Sequence, residues 1–379
     1  MGGLCVSISA LNHDALFLTV DWADAPPSRH ALIWLRDHDP MGFHPETGER
    51  VFDLLSVPEE PHLVDSSVVE DGQAVTLTWE DGHVTRFDSD FLRKQFLEKG
   101  RRAAAPIVPE SWDGRFGERL PRHDHDAIMQ DDRALLAWLE DITCLGLTVV
   151  ENTPPVVGSL ETLCRRIAHL RETNFGTVFE VFSKPNPTNQ AYTADALPLH
   201  TDQSNQETPP GFQFLHTLRN EAEGGVSIFA DGIRMAEDLR DRNPDAYRLL
   251  RDVKIPSRYF DDDWDIRFSR PVLAEDARGE PVEVNWNRHL TDVFDMDPEE
   301  SIAYYRAYRA FLALTYDPHY RFELKSRPGD VFAFNNRRTL HGRTKFDPNT
   351  GARHLRGCYV DWTDMMGRIR VLQNRHGKA

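Results

Sequence analysis

Cysteine is scarce in this chain of 379 residues: Cys5, Cys144, Cys164 and Cys358 stand far apart, with no Cys-x-x-Cys pair. Such spacing suggests neither a disulfide framework nor a thiolate zinc site, and it suits a reducing, cytoplasmic setting. No apolar run approaches the roughly 18 residues of a membrane span, so no membrane partner is expected. A basic stretch followed by an apolar one and a small-residue cleavage site is missing at the N-terminus, so no secretory signal is expected. Positive charge is short as well. Lys and Arg number 44 against 61 Asp and Glu, a net charge of −17. That balance argues against nucleic acid, whose phosphates need a basic face, though a locally basic pocket for a small anion is compatible with it. Internal repeats and low-complexity segments are also lacking.

What is present describes an ordinary globular protein, 40% hydrophobic and 28% charged, with room for two domains or one large one. Residues 1–95 read as a small β-rich domain. Ala31-Leu32-Ile33-Trp34-Leu35 is strand-like. Residues 74–79 and 83–87 alternate around the turn Glu80-Asp81-Gly82, a hairpin. Residues 96–127, rich in Arg, Pro and Gly, read as a connector. Residues 128–379 form a larger domain. Its helices are expected over 133–143, from Ser159 to Arg171, from Asn243-Pro244, and from Asp297-Pro298 to about Leu314. Its strands are expected at 178–182, 212–217, 226–230, 282–286, 331–335 and 355–360. Short strands with inserted helices, without regular β-α alternation, favour a mainly β double-stranded β-helix, or jelly roll.

Chemistry concentrates in His200-Thr201-Asp202, with His341 about 140 residues later and Arg353 twelve after that. Two imidazoles and a carboxylate on one metal leave three coordination positions open, the facial triad of non-haem Fe(II) oxygenases. His-x-Asp alone is weak evidence among 16 histidines, and His123-Asp124-His125-Asp126 offers a competing cluster. Context favours His200: Ala196-Leu197-Pro198-Leu199 leads in as a short strand, and an alternating strand begins at Gly211. His341 likewise ends a buried segment that opens on Pro328-Gly329-Asp330. Arg353, just after a Gly turn, offers a planar fork suited to a carboxylate; this order of residues resembles that of 2-oxoglutarate-dependent oxygenases, which implies that Arg353 anchors the distal carboxylate of 2-oxoglutarate. Ser227, after Gly224-Gly225-Val226, is placed to add a hydroxyl.

These segments, together with Trp34-Leu35-Arg36-Asp37, Ala191-Tyr192-Thr193, Pro209-Pro210-Gly211 and Leu340-His341-Gly342-Arg343, resemble the γ-butyrobetaine dioxygenase-like family of Fe(II)/2-oxoglutarate oxygenases over nearly the whole length. The resemblance implies Fe(II), 2-oxoglutarate and O2, with succinate and CO2 released as a small quaternary-ammonium zwitterion is hydroxylated. It also implies a homodimer. The family's aromatic cage for a trimethylammonium group, a cation–π site, maps to Phe175, Phe179, Tyr192 and Gln203. Gln203 departs from the aromatic often found there, and Phe175 and Phe179 serve equally well as core. The acid end maps to Asn189 and Asn287. Arg288 follows, and its fork suits a phosphonate if it does not simply face solvent. Hence 2-(trimethylammonio)ethylphosphonate is the favoured substrate, with γ-butyrobetaine and trimethyllysine as alternatives. A non-enzymatic binding protein on the same fold is the remote one. The family's structural zinc is not expected: His38-Asp39-Pro40-Met41 carries no Cys, although His83 stands at the place of the later His, and an improvised site of His38, Asp39 and His83 is the alternative.

Overall fold

Side-chain alternation along a few short strands explains how this chain layers itself. The computed structural model describes residues 7–97, 107–182 and 193–376. They form two units, Met1–Ala104 and Ala105–Ala379.

In the smaller unit, β1 (Ile8–His13), β2 (Phe17–Trp22) and β3 (Ser28–Ala31) make one antiparallel sheet. β4 (Leu63–Val69), β5 (Ala74–Trp79) and β6 (Val84–Asp88) make another. Leu18, Val20, Leu35, Leu77, Trp79 and Phe87 form the shared core. The strand expected at 31–35 is instead the start of a helix, Leu32–Asp37. A short apolar run has no period to distinguish the two states, and packing decides between them.

That helix delivers Arg36 into the interior, against Asp39 at 3.7 Å and Asp81 at 2.7 Å. Both His83 Nε2 and Thr85 Oγ1 reach Asp39 Oδ2. His38 is engaged elsewhere, with Nδ1 2.9 Å from the Trp34 carbonyl and its ring stacked on Trp34. His38, Asp39 and His83 therefore do not converge on a common point. A guanidinium and hydrogen bonds surround Asp39.

The larger unit is a double-stranded β-helix. Its strands are β7 (Arg122–Asp124), β8 (Leu147–Glu151), β9 (Val178–Val181), β10 (Leu197–His200), β11 (Phe212–Asn220) and β12 (Ser227–Asp231). β13 (Arg321–Leu324), β14 (Val331–Asn335), β15 (Thr339–Arg343) and β16 (Arg353–Val360) follow. One sheet runs β7-β8-β14-β11-β16-β9 and the other β10-β15-β12-β13. All pairs are antiparallel except β7 with β8.

Every residue of β14 is buried, and the two faces go to different cores. Val331 and Ala333 pack outward with the helices Asp132–Leu145 and Trp362–His376. Phe332 and Phe334 face inward, where Phe229 of the other sheet meets Phe332 at 5.0 Å between ring centroids. The helix Pro298–Tyr316 covers the outside of the second sheet through Tyr304, Tyr308 and Phe311.

The helix expected from Ser159 to Arg171 stops at Arg165. Residues 107–127, expected as connector, hold buried Trp112, Phe116 and Leu120 in the inner core. Their apolar positions are too widely spaced to show periodicity.

Removing the Asp39 carboxylate leaves Arg36 only its half-exposed partner Asp81 and takes the hydrogen-bond partner from His83 and from buried Thr85. Asp39→Ala is expected to destabilise the smaller unit by about 2 kcal/mol, whereas EDTA leaves its unfolding midpoint in place. Urea denaturation of both proteins, with and without chelator, checks the pair of outcomes.

Candidate metal centre and active site

Strand pairing builds the centre. β10 lies at the edge of its sheet, which lets it accommodate Pro198, a residue that cannot donate to a ladder. Register places His200 of β10 directly opposite His341 of β15. The close approach needs Gly342, where a Cβ would sit 2.5 Å from the Leu197 carbonyl oxygen. In β15, Leu340 goes to the outer core, so alternation turns His341 and Arg343 inward.

Ligand atoms of His200, Asp202 and His341 lie within 4.8 Å of one another, and this is the one such group among the described residues. Asp202 Oδ1 is 3.2 Å from His200 Nε2 and 3.8 Å from His341 Nε2. The other carboxylate oxygen, Oδ2, accepts a hydrogen bond of 2.7 Å from the Tyr359 hydroxyl. His200 Nδ1 faces the Pro198 carbonyl at 2.9 Å, an arrangement that leaves Nε2 free for a metal. Asn336, far along the chain, grips the Asp202 backbone. Its Oδ1 accepts from the Asp202 N–H at 2.7 Å, and its Nδ2 donates to the Asp202 carbonyl at 3.0 Å.

Charge states suit a cation. Burial acts to raise the Asp202 pKa, but His341, His200 and the Tyr359 hydrogen bond together hold it well below the usual carboxylate range. Burial, then the neighbouring His200, brings His341 down to about 3. A neutral His341, an ionised Asp202 and the Nε2 of His200 fit a divalent metal with open positions.

A second charged site adjoins. Arg353 begins β16 and is buried, and its Nε has no partner. Burial and then Arg343 lower its pKa to about 10, so it stays cationic at neutral pH. Gly225, at φ 61°, allows the approach, because a Cβ there would lie 2.8 Å from Arg353 Nε. Ser227 pairs with Arg343 across the sheet and is also buried. A buried, unsatisfied guanidinium suits the carboxylate of 2-oxoglutarate.

The cavity over the metal group is lined by Phe175, Phe179, Gln203, Asn205, Tyr259, Asn287, His289 and Tyr359, among others. Phe175 meets Tyr259 edge-on and Phe179 stacks on Tyr359, each pair at 5.1 Å. Gln203 is buried at φ 58°, with both amide atoms unpartnered.

The residues expected at the acid end fare differently. Asn287 lines the cavity, but its amide serves the backbone: Nδ2 donates to Thr201 O, and Oδ1 accepts from the His289 and Leu290 N–H groups. Arg288 is exposed and lines a separate depression with Pro198, Trp286 and Leu312. Its two neighbours face the cavity, so Arg288 faces away. Asn189 and Tyr192 lie outside the described residues.

Sequence reasoning missed Tyr359, Tyr259, His289, Asn205 and Asn336. Only Tyr359 had a signal, since Cys358 and Val360 on either side of it belong to the outer core.

Three imidazoles, two buried and one half-buried, carry a pH consequence. Burial is the first cause in each, lowering His341 to about 3 and His216 and His289 to about 4, from an ordinary 6.5. Unfolding lets them protonate. The stability they contribute is therefore complete above about pH 6.5 and is lost as pH falls toward their folded values. Metal-free protein should show a lower urea midpoint at pH 5 than at pH 7, by roughly tenfold or more in the folding equilibrium. A flat midpoint would contradict these assignments.

Comparison with known proteins agrees with this architecture. The family model described as taurine catabolism dioxygenase TauD, TfdA family matches residues 106–359. The chain is 41% identical over 361 residues to a γ-butyrobetaine dioxygenase of Pseudomonas sp. (strain AK-1), covering 94% of each. It is 30% identical to the mitochondrial trimethyllysine dioxygenase of Bos taurus, covering 91% of this chain and 83% of that one. Among solved structures, a putative α-ketoglutarate-dependent taurine dioxygenase from Burkholderia xenovorans shares the fold. Its TM-score is 0.50 at 14% identity, covering 68% of this chain and 92% of that one. The chain belongs to the TauD, TfdA family, in its γ-butyrobetaine dioxygenase-like part, and is an Fe(II)- and 2-oxoglutarate-dependent dioxygenase.

Proposed function

We propose that this dioxygenase hydroxylates a small zwitterion with a quaternary ammonium group at one end and an acid at the other. The favoured substrate is 2-(trimethylammonio)ethylphosphonate, hydroxylated next to phosphorus. The observation that carries the ammonium end is the aromatic lining beside a carboxylate: Phe175, Phe179, Tyr259 and Tyr359 share one cavity with Asp202. A quaternary ammonium cannot donate a hydrogen bond, so ring faces and a nearby negative charge are what attract it.

The acid end rests on Asn205 and His289, and on Gln203, which is reassigned from the ammonium cage because it brings two unpartnered buried amide atoms and no ring into that cavity. A phosphonate presents three acceptor oxygens to a carboxylate's two, and Gln203 adds an amide donor where the family often has a ring. Arg288, exposed beside another depression, lends this reading no support. γ-Butyrobetaine is the second reading, favoured by the Pseudomonas relative.

In this reading Fe(II), held by His200, Asp202 and His341, supplies O2 activation driven by decarboxylation of 2-oxoglutarate to succinate and CO2. The protein's own part is placement. Arg353 holds the distal carboxylate of 2-oxoglutarate with help from Ser227, and the aromatic walls exclude water and aim one methylene at the metal. A cytoplasmic homodimer belongs to the same proposal, and sedimentation at working concentration tests the dimer.

Succinate formation with the phosphonate, γ-butyrobetaine and trimethyllysine side by side tests the substrate. A preference for the phosphonate is expected. A preference for γ-butyrobetaine establishes the second reading, and no stimulation by any of the three sinks the substrate class. Losing one hydrogen bond to a charged oxygen should raise the phosphonate KM of Gln203→Leu about tenfold, with Arg288→Ala within about twofold of the parent. Arg353→Ala should raise the KM for 2-oxoglutarate roughly 100-fold through loss of a bidentate ionic contact.

A further inference from the structure

An octahedral metal has six positions, and the triad leaves three of them open only if Asp202 contributes a single oxygen. A 2-oxoglutarate chelating through two oxygens would occupy two of these, and O2 would need the last. Were Asp202 to chelate through both oxygens, the O2 position would be lost. Something must therefore hold the second oxygen away.

The two oxygens of Asp202 have different neighbours in this structure. Asp202 Oδ1 is the oxygen turned toward both imidazole Nε2 atoms, at 3.2 and 3.8 Å. Oδ2 is taken by the Tyr359 hydroxyl at 2.7 Å. Asn336 clamps the Asp202 backbone on both its N–H and its carbonyl. The carboxylate thus keeps only its side-chain torsions, and Tyr359 restrains those. Tyr359 itself is well anchored. Its strand pairs on both sides, with Tyr359 opposite Gln213, and its ring stacks on Phe179. That stack has room because residue 357 is glycine, where a Cβ would lie 2.2 Å from the Phe179 ring.

We infer that the Tyr359 hydroxyl is a positioning group that keeps Asp202 bound to the metal through one oxygen and so preserves the position for O2. The inference rests on the metal-site reading above. It makes one residue serve two tasks: the ring walls the substrate cavity, and the hydroxyl sets the coordination number.

Tyr359→Phe removes one oxygen and keeps the ring. Nitric oxide serves as the stand-in for O2, added anaerobically to protein loaded with Fe(II) and 2-oxoglutarate. The high-spin iron–nitrosyl signal is measured by electron paramagnetic resonance and expressed per bound iron. The variant should lose the signal several-fold relative to the parent, and its Fe(II) dissociation constant by calorimetry should shift by roughly tenfold. An equal signal per iron in parent and variant overturns the inference while leaving the metal site intact. No signal in the parent overturns the metal-site reading itself, and this inference with it. A purely structural role for Tyr359 would lower the melting temperature without changing the signal per iron, which also counts against the proposal.

Discussion

The pairing that sets His200 opposite His341 is the constraint on which the rest of this molecule depends. Two ligands distant in sequence must arrive within a few ångströms, and an antiparallel ladder does this with backbone hydrogen bonds alone. The sequence features around it follow from that demand. Gly342 permits the approach of the Leu197 carbonyl, and Pro198 is tolerated because β10 is an edge strand. The Pro198 carbonyl in turn orients the His200 ring. Asn336 supplies the third restraint by fixing the backbone that carries Asp202. The centre is rigid because each ligand sits on regular structure or is tied to it.

The two units handle buried charge in different ways. In the larger one, an ionised carboxylate and a nearby guanidinium stay buried with binding capacity unspent: Arg353 Nε has no partner. Such groups are costly unless a ligand satisfies them, which makes them marks of a binding site. In the smaller unit, Asp39 is closed off by Arg36, His83 and Thr85. The Asp39 carboxylate in that cluster is satisfied by its own neighbours.

The cavity over the metal group has both apolar and polar linings. The four rings come from three separate places in the chain: residues 175 and 179, Tyr259 of a hairpin, and Tyr359 of β16. Asn287 lines the same cavity yet spends its amide on holding the turn that follows. A residue can thus occupy a binding position and still act chiefly as a brace. Arg288 shows the converse, since adjacency in sequence to a lining residue sends it to the opposite side.

How much of this was legible depended on whether residue type or residue direction carried the information. His200, Asp202, His341 and Arg353 could be picked out because few chemistries need those types in that order. The jelly roll followed from short alternating strands without regular helices between them. Direction was harder to read. Tyr359 differs from its neighbours only by facing inward, and Tyr259 and His289 enter the cavity from loops and hairpins with no period to read. The same limit turned residues 31–35 from an expected strand into the start of a helix. The sequence by itself determined the chemistry, because ligand identity and charge are properties of side chains. Tertiary structure alone decided which oxygen of Asp202 faces the two imidazoles, which rings line the cavity and where Arg288 points, because those depend on strand register and on packing between distant segments.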